Sequence, residues 1–202
     1  MKNDLEINKE LAISQFSSFL ELMKIKVPVE TPKRFVSLLD EMLSYRNVSN
    51  EEIAETINKT FGIDCDACSK NMILIKDIEV FSLCEHHLAL IYDMKVAVAY
   101  IPKDKVLGLS KIIRCVSMVS KRPQLQEKIA FDIIDVMKRL LSSDDIAVYI
   151  EAKHGCVTAR GIKNFSAETV TTNFSGEFCR AEDMKANFLL ATRRIRKVLE
   201  PV

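Results

Sequence analysis

A chain of 202 residues is long enough for one domain, or for one domain with a helical extension, and 48% hydrophobic with 28% charged residues provides for a real core. A formal net charge of +1 excludes a globally basic or acidic binding surface, so nothing points to nucleic acid, and any polyanion must be met by locally gathered Lys and Arg. No apolar run is long enough to span a bilayer, and the polar start MKNDLEINKE is unlike a secretory signal, so no membrane is expected and the cytoplasm is the expected location.

Residues 9–24 set Leu11, Phe16, Phe19, Leu20 and Met23 on one stripe at helical spacing. Thr31-Pro32 opens a second helix, with threonine as the expected cap and proline at the first helical position, and Phe35, Leu38, Leu39 and Met42 as its apolar face. A third helix starts at Ser49 or Asn50, carries Ile53 and Ile57, and stops near Gly62. Alternating Ile73, Ile75, Ile78 and Val80 predict a strand within 72–83, and 95–101 reads as another, ended by Pro102. Helices are expected over 109–119 and 124–142, the second carrying Ile129, Ile133, Ile134, Met137 and Leu140. Strands near 145–153 and 167–174 and a basic helix over 181–198 complete the chain. Paired strands flanking helices predict an α+β fold with antiparallel pairing, in which a helical region over 1–66 precedes the main domain over 67–202.

Six cysteines without an export signal are expected to be reduced or bound to metal. The three histidines all lie in two short segments that each hold a cysteine: Cys84-Glu85-His86-His87 just past one strand, and His154-Gly155-Cys156 at the end of another. Zinc takes thiolate and imidazole, and catalytic sites keep three protein ligands and one open position. A Cys and a His from the first segment with a Cys from the second would supply that set. Core cysteines and strand-end histidines would explain one Cys-His pair; two segments holding every histidine favour the metal. A bound zinc brings the pKa of its water toward neutrality, and the two remaining histidines suit proton transfer near operating pH.

Ser110, Lys111 and Arg114 fall at the start of a predicted helix, where free amides favour an anion, although a solvated basic face is the better reading when they are taken alone. Gln126-Glu127 places an amide beside a carboxylate, a pair able to bond the N1–H and exocyclic amine edge of guanine, though such pairs are common on surface helices. Cys65-Asp66-Ala67-Cys68 has no second C-x-x-C and reads as a loop with two reduced thiols, and Cys115 reads as helix core. Arg193, Arg194, Arg196 and Lys197 read as a solvated or subunit-contacting face.

Together these segments resemble the zinc-dependent GTP cyclohydrolase I family. The likeness rests on TPKR at 31–34, CEHH at 84–87, VAYIPKDKVLGLSK at 98–111, RPQLQEK at 122–128 and HGCVTARGI at 154–162. The resemblance implies the tunnelling fold, an antiparallel sheet with packed helices, assembled as a homodecamer with active sites at subunit boundaries. It implies Zn2+ on Cys84, His87 and Cys156, and proton transfer by His86 and His154. By the same likeness Gln126 and Glu127 read the guanine edge, while Ser110, Lys111, Arg114, Arg160 and Arg34 contact ribose and triphosphate. The implied reaction is hydrolytic opening of the guanine imidazole ring of GTP at C8. Formate leaves, and 7,8-dihydroneopterin triphosphate forms after an Amadori rearrangement and reclosure, the first step of pterin and folate biosynthesis. No P-loop of the form G-x-x-x-x-G-K-[ST] is present, as suits attack on the base instead of the phosphates. The deaminase signature is also absent, and a non-catalytic zinc and nucleotide binder on the same fold is the alternative reading. Ser37 stands where family members often carry lysine, and Gly155 where a larger residue is usual, which predicts a looser loop around His154 and Cys156.

Overall fold

The computed structural model describes residues 2–62, 71–141 and 143–193, with residues 2–8 described by their backbone alone. Cys65, Cys68, Arg194, Arg196 and Lys197 therefore lie outside the described residues. The chain divides into two units, Met1–Ser44 and Tyr45–Val202.

The first unit holds α1 (Lys2–Leu22) and α2 (Thr31–Met42). Phe16 stacks on Phe35 at 4.3 Å between ring centroids, and Lys9 Nζ donates to Asp40 at 2.9 Å. The aromatic stack joins the two stripes that helical spacing predicts. Threonine does not act as the cap of α2. Glu30 already has helical φ and ψ of −82° and −9°, so Thr31 falls inside the helix and no side chain caps it.

In the second unit α3 (Asn50–Ile57) begins with a reciprocal cap, in which Ser49 Oγ accepts from the Glu52 N–H and Glu52 accepts from the Ser49 N–H. Its Ile53, Ala54 and Ile57 are buried in the main core with α4 (Leu109–Ser120) and α5 (Gln126–Leu141). A short antiparallel pair, β1 (Thr60–Gly62) with β4 (Lys105–Leu107), follows α3 in space. The main sheet is antiparallel throughout, in the order β2 (Ile73–Leu83), β3 (Leu90–Tyr100), β5 (Ile146–His154) and β6 (Thr169–Phe174).

Period-two patterning separates the two faces of this sheet. Met94, Val96, Val98 and Tyr100 on β3 and Ile146, Val148 and Ile150 on β5 join the large core with Ile129, Ile133 and Met137 of α5. Each such burial is worth about 1.5–3 kcal/mol. The alternate residues Ala99 and Ala147 face a smaller core built on Phe178 of α7 (Glu177–Arg180) and Phe188 of α8 (Glu182–Thr192). A four-residue helix, α6 (Gly155–Thr158), continues directly from β5.

Register places the functional end of the sheet. Leu83 lies opposite Leu90 and Ile91 opposite His154, so the end of β2, the start of β3 and the end of β5 are side by side. Leu83 also bridges to Pro123, and its carbonyl accepts from Gln124 N–H at 3.1 Å. The first turn of α5 is thereby brought to the same end.

Candidate metal centre

The chain reverses immediately after β2. Cys84 N–H donates to the Ala89 carbonyl at 2.9 Å and Leu88 N–H to the Cys84 carbonyl at 2.8 Å, with Leu88 in the left-handed region at φ 49°. This turn buries Cys84 and leaves His86 and His87 exposed. On the neighbouring strand, β5 passes straight into α6, which carries Cys156. Gly155 makes that approach possible. A Cβ there would lie 3.0 Å from the Leu90 carbonyl oxygen and 3.6 Å from Ala89 Cβ, so glycine lets α6 press against the turn that carries Cys84. The looser loop expected at Gly155 is therefore replaced by a close contact. Thr158 adds a clamp, donating from Oγ1 to the His154 carbonyl at 3.2 Å and accepting from Tyr92 Oη at 3.1 Å.

The result is a compact donor set. The ligand atoms of Cys84, His87 and Cys156 all lie within 4.8 Å of one another. Two thiols and one imidazole match zinc's preference and leave a fourth tetrahedral position. Burial pushes the Cys156 thiol up, and the neighbouring Cys84 adds to the shift, while Arg160 opposes it. A divalent cation would reverse that balance by favouring thiolate.

The other two histidines stand outside this group of three. His86 Nδ1 is 4.0 Å from Cys84 Sγ, and its ring centroid is 6.3 Å from that of His87. His154 is half-buried, with Nε2 2.8 Å from Gln126 Oε1. Burial lowers the pKa of His154, and the charge of Glu127 pulls the other way.

Gln126 is buried, and its Nε2 donates toward Ile150 O, Thr169 O and Thr171 Oγ1 at 3.0–3.2 Å. Glu127, next to it on the first turn of α5, is exposed. Arg160 is exposed just beyond α6, close enough to act on Cys156. Ser110 and Arg114 are exposed and Lys111 partly so, on the first turns of α4. No hydrogen bond or ion pair links these three to the metal group among the described residues. Arg34 belongs to the first unit, where it is exposed and 3.6 Å from Glu30. Sequence reading did not single out Thr158, Tyr92, Thr169 or Thr171. Tyr92, Thr169 and Thr171 act through tertiary contacts and carry no motif of their own, and Thr158 lies within HGCVTARGI, where only its fold-dependent contact with Tyr92 shows its part.

A thiol–imidazole cluster able to hold a metal with an open position, and an amide-held histidine beside it, on an α+β frame, has the features of a metal-dependent hydrolytic enzyme. The chain belongs to the GTP cyclohydrolase I family, whose sequence profile matches residues 18–193. It is 51% identical over 150 residues to GTP cyclohydrolase 1 of Clostridium botulinum, covering 73% of this chain and 76% of that protein. GTP cyclohydrolase 1 of Clostridium acetobutylicum is likewise 51% identical over 150 residues, with 74% and 77% covered. Among solved structures, the archaeosine synthase QueF-Like in the apo form aligns with a TM-score of 0.43 and 21% identity, over 54% of this chain and 96% of that one.

Proposed function

We propose that this protein is a zinc-dependent GTP cyclohydrolase I, which opens the guanine imidazole ring of GTP at C8, releases formate and forms 7,8-dihydroneopterin triphosphate. The observation that carries this reading is the convergence of Cys84, His87 and Cys156 within 4.8 Å in a chain of this family. These three residues would hold Zn2+, which supplies a water acidified toward neutral pH. His154 and His86 move protons to and from the opening ring, His154 from a half-buried position that favours its neutral, proton-accepting form. Glu127 is exposed at the start of α5 and reads the guanine edge through its carboxylate. Ser110, Lys111, Arg114 and Arg160 hold the ribose and a triphosphate that is not itself cleaved, and the family likeness makes Arg34 a further phosphate-side arginine. Residues 67–202 carry the catalytic tunnelling-fold domain, and the protein works in the cytoplasm as a homodecamer with active sites at subunit boundaries, feeding pterin and folate biosynthesis.

Zinc-loaded and chelator-treated samples given GTP test this reading. Formate and an oxidisable pterin are expected from the loaded sample only. A folded, zinc-loaded sample that binds GTP and yields no formate would instead support the non-catalytic binder.

A further inference from the structure

Gln126 opens α5 with 1% of its surface exposed, and its carboxamide is committed inside this chain. Its Nε2 lies 3.2 Å from the Ile150 carbonyl, 3.0 Å from the Thr169 carbonyl and 3.2 Å from Thr171 Oγ1. Two of these partners are carbonyls, which only accept. Turning the amide over would set its oxygen against both and leave its NH₂ without them, so β5 and β6 dictate the orientation. Oε1 is then the atom 2.8 Å from His154 Nε2. An oxygen in that place accepts, and the imidazole nitrogen facing it must carry hydrogen.

We infer that Gln126 is a positioning residue that fixes the orientation of the His154 ring and holds it in the Nε2–H tautomer. The Nε2–H···Oε1 bond is the same in neutral imidazole and in imidazolium. The neighbouring Glu127 is left as the exposed side chain of the pair. This divides Gln126-Glu127 into a residue that acts on His154 and a residue that faces solvent and substrate, where the family likeness gives both to the guanine edge. The catalytic meaning of the inference rests on the proposed hydrolysis, but the tautomer does not.

With three histidines in the chain, ¹⁵N-histidine labelling and two-bond ¹H–¹⁵N correlation resolve the tautomers directly. His154 is assigned by the signal lost in His154→Asn. In the wild-type protein, zinc-loaded and chelated, His154 is expected as the Nε2–H form. In Gln126→Leu it is expected as a mixture. That variant should lose about 10²-fold in kcat for formate release, the lower end of what a positioned acid–base group contributes. Its KM for GTP should stay within about threefold, since no substrate contact is removed. An Nδ1–H form or an even mixture in the wild-type spectrum overturns the inference, whether or not Gln126→Leu folds. So does a Gln126→Leu enzyme with raised KM and unchanged kcat, which would mark a base-reading residue. If wild-type protein releases no formate, the hydrolysis reading fails, and the spectrum still decides the tautomer.

Discussion

Removing Asp132 tests how the first turn of α5 is held. Its side chain is 4% exposed and that of Arg122 is 11% exposed. Arg122 Nη1 donates to Asp132 Oδ2 at 3.2 Å and to Asn50 Oδ1 at 2.7 Å, and Nη2 donates to the Val48 carbonyl at 2.6 Å. The carboxylate also pairs with Lys128, whose side chain is 55% exposed. Breaking a buried pair by deleting one partner costs about 3–5 kcal/mol, because the other charge is stranded. In Asp132→Ala the arginine keeps two neutral acceptors and the lysine turns to water, which points to the lower end, about 3 kcal/mol. With a urea slope of about 2 kcal/mol per molar, the midpoint should fall by about 1.5 M. Unfolding should be followed at one fixed protein concentration, because assembly would add to apparent stability. The double variant Arg122→Met, Asp132→Leu removes both charges and should lose less than the single one. A loss under about 1 kcal/mol in Asp132→Ala, or a double variant no better than the single, would refute the reasoning.

Cys156→Ala should lose most of its bound zinc by metal analysis while keeping its far-UV circular dichroism; full zinc occupancy would place the metal elsewhere. Burial alone would raise the Asp145 carboxyl, but the Glu177 N–H, Lys103 and Arg180 outweigh it and hold it below the usual carboxylate range. A folded-state pKa below the unfolded value means stabilisation that is present above about pH 4 and is lost as pH falls through the folded value. Asp145→Asn should therefore flatten the acid limb of the stability–pH curve, and curves parallel to wild type would contradict this. Cys115 is fully buried with its thiol pushed up to about 12, so it should resist alkylation in the folded protein and react once unfolded, as read by mass spectrometry. Fast labelling of Cys115 under native conditions would show the core to be open.

The elements with long apolar runs were legible from spacing alone. Ile129, Ile133 and Met137 mark α5, and the alternation through Ile146, Val148 and Ile150 marks β5. β3 is longer than the run from 95 implies. Its first residues pair with β2 and with His154, but a register shift between Tyr92 and Lys95, with Asp93 at φ 49°, interrupts the alternation that sequence reading depends on. β1 and β4 are three residues each, too short for any periodicity, and they exist only because distant segments meet. The same distinction holds at the site. Two Cys-His segments pointed to a group able to hold a metal, and the fold brings Cys84, His87 and Cys156 together. That Gln126 is buried while Glu127 is exposed depends on where β6 lies, and a dipeptide cannot show that. Gly155 looked like a loosening feature because its neighbour across the gap, Leu90, is distant in the chain.

The central claim is hydrolysis at C8 by a chain whose metal group is Cys84, His87 and Cys156. GTP labelled with ¹³C at C8, given to the zinc-loaded protein and followed by NMR, reports on it directly. Labelled formate is predicted to appear in step with GTP loss, with the triphosphate retained in an unlabelled pterin product. Label that stays in the purine, or GTP that is consumed only with release of inorganic phosphate, would contradict the account.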